Sequence, residues 1–175
     1  MDTRKQIIRI TRNAVMLALL CVIGMFSLPL GDNIKVSLQL LMVFIIALTA
    51  TSFIDAVIVT GLYLVIGLLI PVYAGFTAGI TPTFGFVVSF VVLVTPVYFV
   101  NKLPIKNQFL RMALACLVGL IICYAIGTTF LALYLKLNIQ KALLIAVVPY
   151  IPFDIAKIII AMLVVSLLPK RSSSL

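Results

Sequence analysis

Apolar residues fill long blocks of this chain, and polar residues, glycine and proline gather in the short stretches between them. A bilayer-crossing helix needs about 20 mostly apolar residues, so the pattern predicts spanning helices, and the punctuation divides the chain into six. The first covers 13–28 and is closed by Pro29 and a loop at 31–33. The second covers 36–53 and the third 55–71, ending at Pro71. Residues 72–82 are rich in Gly, Thr and Pro and predict an ordered loop. The fourth helix covers 83–100, with a kink expected at Pro96. A basic loop at 101–107 leads to the fifth, 109–135, and the sixth ends at Pro169. Pro149 and Pro152 predict a break just before Asp154, since proline is tolerated in the first turn of the helix that follows.

Composition confirms the class. The chain of 175 residues is 65% hydrophobic and only 10% charged, with a mean hydropathy of +1.35. Charged residues make up about a quarter of an ordinary soluble domain. The acids are Asp2, Asp32, Asp55 and Asp154, and there is no His, Glu or Trp. That removes His-dependent triads, zinc sites of the HExxH kind and most acid–base chemistry. No GxxxxGK[ST] loop occurs either, so any ATP hydrolysis must belong to another subunit. Neither a catalytic residue nor a metal ligand is expected.

The net charge of +9 changes the picture by its placement, because the basic residues sit at span ends rather than in a nucleic-acid-binding patch. With both termini in the cytoplasm, Arg4, Lys5, Arg9, Arg12, Lys102, Lys106, Arg111, Lys170 and Arg171 lie inside. Lys35, Lys136 and Lys141 lie outside, and this imbalance fits the positive-inside rule. The loop between helices 3 and 4 is then an outer loop. Residues 1–12 form a basic cytoplasmic segment facing anionic lipid, and 170–175 a cytoplasmic tail. The start resembles a signal peptide but lacks a small-x-small cleavage site, so it is read as a retained helix. Cys21, Cys116 and Cys123 fall within apolar runs and read as small hydrophobes.

Asp154 and Lys157 are the only oppositely charged pair inside an apolar span. A charge at bilayer depth costs roughly 2.5 to 3.5 kcal/mol even on forgiving scales, so such residues pair, line a cavity, or do both. At i and i+3 they share one helix face. The pair is either a self-neutralised packing contact or a polar spot in an outward-facing pocket, and the proline-rich break beside it favours the pocket. Gln39, the lone amide of the second span, either bonds another helix or faces that pocket. Tyr73, Phe76, Phe84, Phe86 and Tyr150 form an interfacial belt or an aromatic wall around a ligand. Ala14 and Ala18 make a small-xxx-small pair on the first helix that lets another helix approach closely. Gly119 and Gly127, flanking Tyr124, read as packing positions.

Residues 149–157, Pro-Tyr-Ile-Pro-Phe-Asp-Ile-Ala-Lys, resemble the last-helix signature P-F-[IL]-P-x-D-[IL]-x-K of the BioY family. These are the biotin-specific substrate-binding subunits (S components) of energy-coupling-factor (ECF) transporters. Tyr63, Gly67, the run Pro71-Val-Tyr73, Gly75, Gly79 and the run Thr81-Pro-Thr-Phe-Gly-Phe86 resemble the family's central pattern, which ends in G-P-T-G-G-Y. Val36-Ser-Leu-Gln39 and the Tyr124, Gly127 pair also fit, so the likeness extends over essentially the whole chain. Thr81, Phe84 and Phe86 depart from it, standing where Gly, Gly and Tyr are usual.

The resemblance implies capture of biotin from outside a prokaryotic cell by a multi-pass protein of the cell membrane. Asp154, Lys157, Gln39, Tyr73, Gly75, Thr83, Phe86 and Tyr150 would bind the substrate, and Ala14 and Ala18 would form the docking face. The implied partners are a transmembrane coupling protein and two ABC ATPase subunits. The chain needs no cofactor of its own, and ATP enters only through those partners. Alternatives are an S component for another vitamin and, in a different class, a self-sufficient proton- or sodium-coupled carrier with Asp154 as its coupling site. The carrier would be expected to show internal repeats, and none is visible.

Overall fold

The computed structural model describes residues 3–29 and 35–168. The loop expected at 31–33, together with Lys170, Arg171 and the rest of the 170–175 tail, lies outside them. Among the described residues seven helices and two short strands follow one another. Helix α1 is Thr3–Met25, strand β1 is Ser27–Pro29, and β2 is Lys35–Ser37. Then come α2 (Gln39–Thr49), α3 (Phe53–Leu69), α4 (Phe84–Val100), α5 (Gln108–Leu135), α6 (Ile139–Ala146) and α7 (Ile151–Leu167).

The helix boundaries have local causes. The Ser52 hydroxyl accepts from the Ile54 N–H to start α3, and the Asn107 side chain accepts from Phe109 and Leu110 to start α5. Asn138 does the same for α6. Lys136, left-handed at φ 53°, closes α5. The sixth expected span is two helices meeting at 54°, α6 and α7, with Pro149 in the break and Pro152 in the first turn of α7. Pro96 lies inside α4, which continues through it.

The second span differs most from expectation. Its first residues are extended: β2 pairs antiparallel with β1, and Ser27 lies opposite Ser37. Only 11 residues remain as α2, about 16 Å of helix, too short to cross a bilayer alone. Buried on nearly every side, α2 packs against α1, α4 and α7 at the centre of the bundle. Extended backbone is tolerated at such depth when protein covers it and its polar groups are paired. Outside, the apolar surface faces outward: Leu69 and Leu167 are each 83% exposed, as lipid contact requires.

Helix α1 begins at Thr3, so most of the basic segment is helical, and two of its arginines are held by the bundle. Arg9 Nε donates to Asp55 Oδ1 at 2.6 Å, and Asn13 Nδ2 donates to the same oxygen at 2.9 Å. Arg12 donates to Thr51 Oγ1 at 2.6 Å and to the Thr49 carbonyl. That last contact places a cation at the C-terminal end of α2, where the helix dipole favours one.

Candidate functional site

Asp154 sits in the first turn of α7, and Lys157 lies one turn further on; they are 4% and 6% exposed. Lys157 Nζ donates to Asp154 Oδ1 at 2.7 Å. The other oxygen, Oδ2, accepts from the Tyr124 hydroxyl of α5 at 2.6 Å. An ion pair this deep offsets its desolvation only when further hydrogen bonds complete it, and Tyr124 supplies one.

The pair borders a cavity of about 400 Å³, within the range of small-molecule sites. Its walls come from the start of α2, from α4 and α5, from the α6–α7 elbow, from the hairpin and from the loop after α3. Asp154, Lys157, Gln39, Tyr73, Thr83, Phe86 and Tyr150 all line it. Gly75 does not. It turns the loop at φ +74°, and its N–H donates to the Met25 carbonyl at 2.9 Å, tying the loop to the end of α1. A side chain there would be strained by the backbone alone.

Gln39 is firmly held. Its Oε1 accepts from the Ser37 hydroxyl at 3.1 Å, and its Nε2 donates to the Tyr63 hydroxyl. The Tyr63 hydroxyl in turn donates to the Val72 carbonyl at 2.9 Å. The two readings of an intramembrane amide therefore both apply, since Gln39 bonds another helix and also lines the cavity. The Tyr73 ring lies on Gly67, where an added Cβ would come within 1.9 Å of it, and its hydroxyl donates to the Leu64 carbonyl at 2.6 Å. Burial pushes the Tyr73 phenol up to about 12, so it remains a neutral donor at ordinary pH.

Two ring-on-glycine contacts shape the far wall. Phe86 of α4 lies over Gly127 of α5, and Phe130 of α5 lies over Gly85 of α4; an added Cβ would approach the Phe86 ring to 2.2 Å and the Phe130 ring to 2.6 Å. Phe84, by contrast, packs between Tyr73 and Phe130 with ring centroids 6.3 and 5.9 Å away. Phe76 points outward against Phe26. The aromatic set thus divides into cavity wall and surface.

In the sequence alone, Tyr124 reads as a neighbour of packing glycines rather than as a residue of the site. Its only local signal was being a lone hydroxyl-bearing ring deep in an apolar span. Ser27 and Ser37 of the hairpin, and Ile145 and Ala146 of α6, also line the cavity. None of these carried a chemical motif. Ala14 and Ala18 lie on the exposed side of α1, away from the cavity. Among the described residues, no group of three or more Cys and Asp side chains could hold a metal.

The BioY family matches residues 1–174 of the chain. The chain is 28% identical over 167 residues to the biotin transporter BioY of Thermotoga maritima, covering 93% of this chain and 96% of that protein. It is 30% identical over 150 residues to the biotin transporter BioY2 of Lactococcus lactis subsp. cremoris, covering 82% and 80%. Its fold superposes on the crystal structure of the S-component for biotin from an ECF-type ABC transporter with a TM-score of 0.83. That alignment has 21% identity and covers 94% of this chain and 92% of the other.

Proposed function

The chain belongs to the BioY family, and on that premise we propose that it is a multi-pass membrane protein that captures biotin and serves in its uptake as the substrate-binding subunit of an ECF-type transporter. The observation that carries this reading is the buried Asp154–Lys157 pair facing a largely apolar cavity of small-molecule size. Biotin is an apolar bicycle and chain with a polar group at each end. The site offers the same arrangement: Leu40, Val87 and Phe90 as apolar wall, the ion pair at one position and Ser27, Ser37 and Gln39 at another.

The charge pair suits the ureido end. Asp154 accepts from N–H groups while Lys157, with ammonium protons left over, donates to the ureido carbonyl. A ligand carboxylate there would sit against Asp154, so the valerate end belongs towards the serines of the hairpin. Tyr73, Thr83, Phe86 and Tyr150 complete the enclosure. Gly75 acts on the ligand only by fixing the loop that carries Tyr73.

The charge distribution supports an orientation with the cavity facing outward and both termini in the cytoplasm. The exposed Ala14 and Ala18 face of α1 would then receive the transmembrane coupling protein, and two ABC ATPase subunits would supply the energy. ATP has no part in this chain's own site, and its role is binding and transport rather than catalysis.

Calorimetry on the detergent-solubilised protein tests the reading. Biotin should bind one-to-one, and Asp154→Asn and Lys157→Met should each weaken it at least tenfold, because a charge-assisted contact contributes about 1.5 to 3 kcal/mol. Unchanged affinity in both variants would overturn the assignment of the site. Absence of biotin binding by the folded wild type would overturn the substrate.

A further inference from the structure

Tyr124 is a polar group at the cavity for which the family resemblance implies no contact with the ligand. Its phenol has a single proton, and the 2.6 Å bond to Asp154 Oδ2 commits it. A hydroxyl donating to a carboxylate makes one of the stronger hydrogen bonds in a protein, and here both partners belong to the cavity lining. The tyrosine oxygen can therefore only accept from a ligand. Asp154, bonded once at each oxygen, can also only accept. Lys157, with one of its three N–H groups on Oδ1, can only donate.

We propose that Tyr124 is a specificity-determining residue: together with Asp154 and Lys157 it presents two acceptors beside one donor, and so selects a neutral ligand group with N–H next to C=O, a cyclic urea or secondary lactam, over an anion or an N-alkylated analogue. Charge supports the choice. The triad as a whole is neutral, and among the described residues no other charged side chain lines the cavity. An incoming carboxylate would gain one ammonium that is already paired, and would face two oxygens with nothing to donate. A urea carbonyl meets Lys157 while its N–H groups meet Asp154 and Tyr124. The nearby Cys123 sulfur, a weak acceptor in contact with Ser89 Oγ at 3.2 Å, competes little for the ligand N–H.

This rests on the biotin reading. The test compares biotin with its two ureido-N-methylated isomers, in wild type and Tyr124→Phe, by calorimetry or competition. Wild type should prefer biotin about tenfold or more over at least one isomer, the scale of one lost charge-assisted bond. Tyr124→Phe should weaken biotin by about tenfold and shrink that preference several-fold, because the hydroxyl that reads the N–H is gone. Loss of affinity for all three ligands in equal proportion would mark Tyr124 as structural only and overturn the proposal. So would a wild type that binds both methylated isomers as well as biotin, whether or not the variant folds. A wild type that binds none of the three would overturn the biotin reading, and this one with it.

Discussion

Asp154 and Asp55 are both buried acids with basic partners, yet they do different work. Asp154 borders the cavity and shares its oxygens between Lys157 and Tyr124. Asp55 lies at the start of α3 and takes Arg9 and Asn13 of α1 on one oxygen, outside the cavity lining. Replacing Asp55 by Ala removes both bonds and leaves a half-buried guanidinium with less compensation, a cost of about 1 to 3 kcal/mol. The thermal midpoint in detergent should fall, while biotin affinity changes by less than about twofold. A large loss of affinity at unchanged stability would show that the α1 contacts reach the cavity. The sequence already sets Asp154 beside Lys157 within one span, whereas the partners of Asp55, Arg9 and Asn13, are distant in sequence and are brought to it only by the fold.

The α4–α5 pair is held by reciprocal insertion of rings on glycines, and one of those rings is cavity wall. Gly127→Ala would bring a methyl group within 2.2 Å of the Phe86 ring. The ring must then move, and the open side is the cavity. Gly127→Ala should therefore lower both the thermal midpoint and biotin affinity, with overpacking costs of about 1 to 3 kcal/mol. Gly127→Ala combined with Phe86→Leu should recover part of both, since the smaller side chain clears the clash. Failure of the double variant to recover any stability would show that the strain lies elsewhere. The α6–α7 elbow is the other element-level device. Its break at Pro149 sets the first turn of α7 beside the cavity, where the helix dipole also favours Asp154.

For the whole molecule, stability and binding are linked because the cavity exists only in the folded bundle. Its walls come from five helices, a hairpin and a loop, several of them distant in sequence. Biotin at 100 times its dissociation constant should stabilise the fold by about 2.7 kcal/mol, read as a raised thermal midpoint that grows with ligand concentration. The Lys157→Met variant should show little of this increment even where its own midpoint is near that of wild type. An equal biotin-induced increment in the two proteins would place the ligand elsewhere.

The sequence by itself determined whatever depends on neighbours along the chain. Apolar blocks and their proline and glycine punctuation located the third, fourth and fifth helices to within a few residues, whereas α1 starts well ahead of its apolar block, at Thr3, and the second span is partly extended. The i, i+3 spacing put Asp154 and Lys157 on one face, and Pro149 with Pro152 marked the break beside them. Tertiary structure alone decided what depends on distant partners. Tyr124 and Asp154 are 30 residues apart and Gln39 and Tyr63 are 24 apart, so no local pattern could pair them. The extended start of the second span is the same kind of fact. Val36 and Ser37 lead into an apolar run that a helix could include, yet with Lys35 they become a strand because β1 supplies their backbone partners. Gly75 shows the converse: its turn role is legible as glycine, but its place outside the cavity follows from where the Met25 carbonyl lies. Short-range periodicity reports which faces avoid water, whereas a hydrogen bond between helices is set by the packing that brings them together.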